Sequence, residues 1–273
     1  MYINYQPTTN YNNINYTGRF SSWVKNAAVF RAFKKGSTEH SVGKFGTKIE
    51  FDDIPKYAIP KEEFDMSHPQ IFRYPAGKKV KMYFCIDFDP NRVGKLYDKK
   101  KKEPVSVYII KTYISAYPKN VSYYFLSKTL EECYGHVELS NDTRKNRLIV
   151  EWLENNKPNK IGGVGKLADR LASKYCAENN LPFNIESIAV TDSMMAHYKR
   201  GKRFVPPKKD RYEYAFLMHQ YGTSDVNQVM ENLLKESKQN GKKADLSCFN
   251  NYNFAMYLPK ELAQKYAKES LMV

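Results

Sequence analysis

The sequence predicts an α/β or α+β protein, with a central mixed or antiparallel sheet and a helical C-terminal half. Three apolar runs rich in β-branched and aromatic residues lie between residues 79 and 126, too close together for the crossovers that parallel neighbours need. After about residue 140, apolar positions recur at helical spacing behind capping residues. The 273 residues are 42% apolar, enough for a sizeable core.

Residues 1–18 are rich in Asn, Tyr and Thr without an apolar period, so they read as an arm, followed by a sheet-containing domain over 19–139 and a mainly helical basic domain over 140–273. Phe20–Phe33 carries Trp23, Ala27 and Phe30 at helical spacing, and Gly36, Gly43 and Gly46 suit turns and a hairpin. Asp52–Pro75 holds four prolines and reads as a loop. The strands are Lys79–Pro90, Val105–Ile110 and Val121–Leu126, with Lys99–Lys102 at a hairpin tip.

Thr143–Asn155, behind Ser140, Asn141 and Asp142, reads as a helix, broken at Lys157-Pro158-Asn159-Lys160. A second helix over Val164–Cys176 has Val164, Leu167, Ala168, Leu171 and Tyr175 on one face and ends near Asn180-Leu181-Pro182. Ile185–Tyr198 reads as strand then helix, and Tyr212–Tyr221 as a short aromatic strand. Asp225–Lys238 and Pro259–Leu271 read as two closing helices.

Charge is the strongest global signal. The chain has 44 Lys and Arg against 29 Asp and Glu, a net +15 with pI near 9.4, which favours a polyanion, nucleic acid first, as partner. Tyrosines number 22 against two tryptophans; tyrosines stack on unpaired bases while lysines follow the backbone, but an AT-rich genome gives the same composition. That composition points to replication, processing or defence in a virus or mobile element. No run approaches the ~20 apolar residues of a spanning helix, so no membrane partner is expected. The first residues lack the order of a signal peptide, so a cytoplasmic setting is expected. Cys85, Cys133, Cys176 and Cys248 are scattered singly, without zinc or disulfide spacing.

The run Tyr83-Phe84-Cys85-Ile86-Asp87-Phe88-Asp89-Pro90 ends an apolar strand with two aspartates two residues apart. Alternation along a strand sends Asp87 and Asp89 to one face, where their mutual repulsion would be relieved by a divalent cation. This pattern resembles the first motif of the archaeo-eukaryotic primase-polymerase superfamily; the nearest candidate for its second, a small residue, any residue and His, is Tyr134-Gly135-His136, with Tyr134 in the place of the small residue. For its third, an apolar residue followed by an acid, Ile185-Glu186 is a better match than Thr191-Asp192. The resemblance implies metal-dependent nucleotide addition, with Asp87 and Asp89 holding Mg²⁺ or Mn²⁺ and His136 completing the catalytic set.

Ile161-Gly162-Gly163-Val164-Gly165-Lys166 places glycines before a helix, where backbone N–H groups converge on anions. It is similar to the helix-hairpin-helix turn that grips a DNA backbone, and Val164 to Lys209 resembles a winged helix-turn-helix. The expected nucleic-acid contacts, to DNA or RNA, are therefore Lys99, Lys100, Lys101, Lys102, Gly163, Gly165, Lys166, Lys199, Arg200, Lys202, Arg203, Lys208 and Lys209. His40, His68, His136, His197 and His219 are dispersed and form no local metal motif. The expectation is a nucleic-acid-binding protein, either with metal-dependent nucleotidyl-transfer or nuclease chemistry at Asp87 and Asp89 or as a non-catalytic binder. Its competitor is a non-catalytic interaction or inhibitor protein docking its basic surface on an acidic protein or protein–RNA complex.

Overall fold

The described part of the chain holds thirteen strands, five α-helices and a short 3-10 helix at Ser247–Phe249. The structure is a computed structural model and describes residues 39–42, 47–50, 67–75, 83–115, 117–130, 132–189, 191–250, 252 and 254–272. In chain order the elements are β1 Glu39–Val42, β2 Thr47–Glu50, β3 Gln70–Pro75, β4 Tyr83–Phe88, β5 Val93–Asp98, β6 Glu103–Ile114, β7 Tyr117–Leu126, β8 Cys133–Asp142, β9 Arg147–Asn155 and β10 Ile161–Gly162. There follow α1 Val164–Glu178, β11 Ile185–Ala189, α2 Thr191–Lys199, β12 Arg203–Phe204, α3 Tyr212–Tyr221, α4 Val226–Asn240, β13 Phe254–Leu258 and α5 Lys260–Lys268. Eleven strands form a mixed sheet with the order β10-β5-β6-β7-β8-β9-β11-β13-β12, β4 beside β6 and β3 beside β4, while β1 and β2 make a separate hairpin. The architecture is α+β, with the described helices in the second half, as the sequence predicted.

Two compact units divide the described residues: those up to 139, with 152–164 and 271–272, form the first, and those within 140–151 and 165–270 the second. In the first, β3, β4, β5, β6, β7 and β10 pair antiparallel throughout. Every side chain from Val121 to Leu126 is buried, so β7 carries core on both faces. Tyr123, Tyr124 and Tyr134 sit in that core, which assigns part of the tyrosine excess to packing.

In the second unit, β9 and β11 run parallel over Leu148–Val150 and Ile185–Ser187, with α1 as their crossover; β13 then pairs antiparallel with β11 and β12 with β13. Its core gathers Met194, Phe204, Leu217, Met230, Phe249, Phe254 and Met256. Helix α4 starts at Asp225, whose carboxylate accepts the N–H groups of Asn227 and Gln228.

Three expected elements differ. Thr143–Asn155 is not a helix but a turn followed by β9, in which Leu148 and Val150 are buried between less buried neighbours, the period of a strand. Asp142, which looked like a helix cap, instead accepts the N–H of Lys145 within that turn at 3.3 Å. Tyr212–Tyr221 is helix α3, not a strand. Gln70–Pro75, expected in a loop, is strand β3, with Pro75 at its end where a missing N–H is tolerated. The expected arm and the Phe20–Phe33 helix lie outside the described residues. Among the described residues, no helix is long and apolar enough to cross a membrane. No disulfide joins any of the four cysteines, and burial pushes the Cys176 thiol up to about 12.

Candidate functional site

The β5–β6 hairpin turns through Lys99, Lys100, Lys101 and Lys102, all exposed, as the sequence predicted. The preceding Asp98 is buried, and its carboxylate accepts the N–H groups of Lys100 at 2.9 Å and Lys101 at 3.0 Å. These bonds, with the Lys101 amide foremost, hold Asp98 below the usual carboxylate range.

A second lysine turn lies against the first. Between β9 and β10 the chain turns through Lys157, Pro158, Asn159 and Lys160, fixed by the N–H of Lys157 donating to the Asn155 side chain at 3.0 Å. Strand β10 pairs with β5, and the Lys99 N–H donates to the Lys160 carbonyl at 2.8 Å. The Lys99 ammonium donates to the Pro158 carbonyl at 2.6 Å. Residues almost sixty positions apart thus place six lysines on neighbouring turns of one unit. Glu132 meets Lys157 at 3.6 Å and Lys160 at 3.3 Å, and Glu103 meets Lys101 at 3.5 Å. Such exposed pairs contribute about 0–1 kcal/mol and yield readily to a competing phosphate. In the sequence, the segment of Lys157 and Lys160 shows only as a helix breaker; the strand pairing makes it a partner of Lys99.

The paired aspartates are engaged locally. The Arg92 guanidinium donates to the Asp87 carboxylate at 3.1 Å, and Asp89 accepts the N–H of Asn91 at 2.9 Å in a tight turn. Asp87 is opposite Lys111, Lys111 opposite Tyr123 and Tyr123 opposite Val137, whereas His136 is opposite Tyr124. His136 therefore points from the other face of the sheet, three strands or roughly 14 Å away from Asp87. The expected set of Asp87, Asp89 and His136 is not brought together, and the arrangement does not fit a shared metal ion. Among the described residues, no group of three or more His, Cys, Asp or Glu side chains is placed to hold one.

His136 is fully buried, stacks on Tyr124 at 5.4 Å and lies 3.5 Å from Glu138. The neighbouring Gly135 has a packing reason: a Cβ there would meet the Glu154 carbonyl at 2.4 Å and Val164 at 2.9 Å. Glu186, from the third-motif match, pairs closely with Arg147.

In the second unit, Lys199, Lys208 and Lys209 are exposed, as is Lys166 on the first turn of α1. Gly163 precedes that helix with φ +87°. Arg203 lies half-buried over the Tyr198 ring at 4.8 Å. Lys202, expected to contact nucleic acid, is instead buried, its ammonium 3.1 Å from Asp169 and donating to the Ser187 hydroxyl at 3.2 Å. Arg200 also turns inward, donating to Asp169 at 3.1 Å and meeting His197 Nδ1 at 2.8 Å. Its guanidinium occupies the space above Gly165, where a Cβ would come within 2.6 Å of Arg200 Cζ. The cluster expected to be a basic wing is therefore partly an internal ion network. The pattern Lys199-Arg200-Gly201-Lys202-Arg203 does not reveal this, because Asp169 is supplied by α1.

Burial foremost pushes the His197 imidazole down to about 3, reinforced by Lys202 and Arg200, so it is neutral near pH 7. Burial alone would raise Asp169, yet Lys202, Arg200 and His197 together hold it below the usual carboxylate range.

No family model matches the chain, and neither does any curated protein. Among solved structures, the chain is similar to a nourseothricin acetyltransferase, with a TM-score of 0.34 and 11% identity over 70% of this chain and 98% of that one. A likeness this slight assigns neither fold family nor chemistry.

Proposed function

We propose that the first unit binds nucleic acid through its two joined lysine turns. The observation that carries this reading is the juxtaposition of Lys99–Lys102 with Lys157 and Lys160, held by the hydrogen bond from Lys99 to Lys160. Six ammonium groups on two hydrogen-bonded turns attract phosphates at several points, and counterion release then supplies the affinity. The net charge of +15 adds long-range attraction for a polyanion. Asp87 and Asp89 have no chemical step in this reading, since Arg92 and the Asn91 amide already engage them.

The test is fluorescence anisotropy with labelled oligonucleotides across a salt series. If three to five lysines meet phosphates, log Kd against log salt has a slope of magnitude about 2–4. Replacing Lys99, Lys100, Lys101 and Lys102 by Gln should lower that magnitude by about 2 or more while leaving the circular dichroism spectrum unchanged. Binding that ignores salt, or a quadruple variant that binds like the parent, would remove this reading.

A further inference from the structure

We propose that the nucleic acid taken by the lysine turns is single-stranded, and that Tyr97 is the platform on which one of its bases stacks. This rests on the lysine-turn reading and goes beyond it by naming the ligand and the residue that selects it. Tyr97 lies on β5, separated from the first turn by Asp98 alone, and is 44% exposed. Residues of β5 alternate, so Lys95 and Tyr97 share the open face while Leu96 and Asp98 are buried. Lys99 continues the same alternation as β5 enters the turn, leaving the aromatic ring between two cations.

The residues directly across from Tyr97 leave it open. On one side is Gly162, which has no side chain, and on the other Pro104, itself exposed. A Cβ at Gly162 would have only ordinary contacts, with Lys99 Cε at 3.5 Å and the Tyr97 carbonyl at 3.8 Å. Close packing therefore does not require glycine there, and its effect is to leave the ring uncovered. The carboxylate of Asp98 points inward and is occupied by the backbone of the turn, so no anion from β5 opposes a phosphate beside the ring.

This combination favours unpaired bases. A duplex stacks its base faces on each other and presents phosphates outward, so it gains from the lysines but nothing from an exposed ring. A single strand offers a free base to Tyr97 and its flanking phosphates to Lys95 and Lys99. The stacking is tolerant of base identity, because every base has a π-face.

The experiment compares a labelled oligo-dT with a duplex of the same length, using the full chain and the variants Tyr97→Ala and Tyr97→Phe. The single strand is expected to bind tighter than the duplex at equal salt. Tyr97→Ala is expected to lose roughly five- to hundredfold on the single strand, with the duplex affinity and salt slope unchanged. Tyr97→Phe is expected to keep most of the affinity, since it retains the ring. Salt-dependent binding that prefers the duplex or ignores Tyr97→Ala would overturn this proposal and leave the lysine turns standing. Absence of salt-dependent binding by the parent protein would overturn both.

Discussion

Replacing Asp169 by Asn should be among the most damaging single changes in the second unit. Asp169 and Lys202 are each 1% exposed at the side chain, with carboxylate and ammonium 3.1 Å apart, and Arg200 approaches the second carboxylate oxygen at 3.1 Å. At an effective dielectric of about 20, a charge pair at that separation interacts by about 5 kcal/mol. Asn keeps the shape and an acceptor for Lys202 but removes the counter-charge, leaving a buried ammonium beside a guanidinium. The expected loss is about 3–5 kcal/mol, the range for breaking a buried pair from one side. That is a large part of a typical stability of about 5–15 kcal/mol, and it corresponds to a fall in Tm of roughly 10 °C.

The assay is urea denaturation followed by circular dichroism at 222 nm, which reports mainly on the second unit because the described helices lie almost wholly within it. The double variant Asp169→Leu/Lys202→Met removes both charges and fills similar volume, so it should recover at least half of the loss. A loss below about 1 kcal/mol in Asp169→Asn, or a double variant as unstable as the single, would refute the ion-network reasoning.

Two further outcomes follow from the same network. His197 has its folded value lowered to about 3, below the ~6.5 of an unfolded histidine, so the unfolded chain binds a proton that the folded one refuses. Its contribution is unaffected above about pH 6.5 and becomes increasingly unfavourable as pH falls toward 3, with a limiting slope of about 1.4 kcal/mol per pH unit. His197→Gln should flatten the fall in the urea midpoint between pH 6.5 and 4.5, a window above the range in which Asp169 takes up protons; an identical slope in the variant would disprove the assignment. Gly165→Ala would drive a Cβ to 2.6 Å from Arg200 Cζ, whose guanidinium is held by Asp169 and His197. It should cost about 1–3 kcal/mol by overpacking and much less in an Arg200→Ala background, as read by the same denaturation series.

Sequence by itself settled what short-range physics controls. The runs around Tyr83–Phe88 and Val121–Leu126 were legible as strands because their β-branched and aromatic residues suit a pleated core. Helix α1 was legible because Leu167, Ala168, Leu171 and Tyr175 recur at its own period. The turn at Lys99–Lys102 and the net charge were equally visible, so the expectation of a polyanion partner arose before any geometry.

Tertiary structure decided which side chains meet. Leu148–Val150 became strand because β11 pairs with that segment, and a lone window with capping residues ahead of it does not encode its neighbour. Lys202 looked like a surface cation and is buried because Asp169, thirty-three positions earlier, neutralises it. Asp87 and His136 share a sheet yet face opposite ways, since strand register fixes the face of every residue and is set by partners distant in sequence. Lys157 and Lys160 joined Lys99 through the same kind of long-range pairing, which is why composition foresaw a basic surface but only the fold located it.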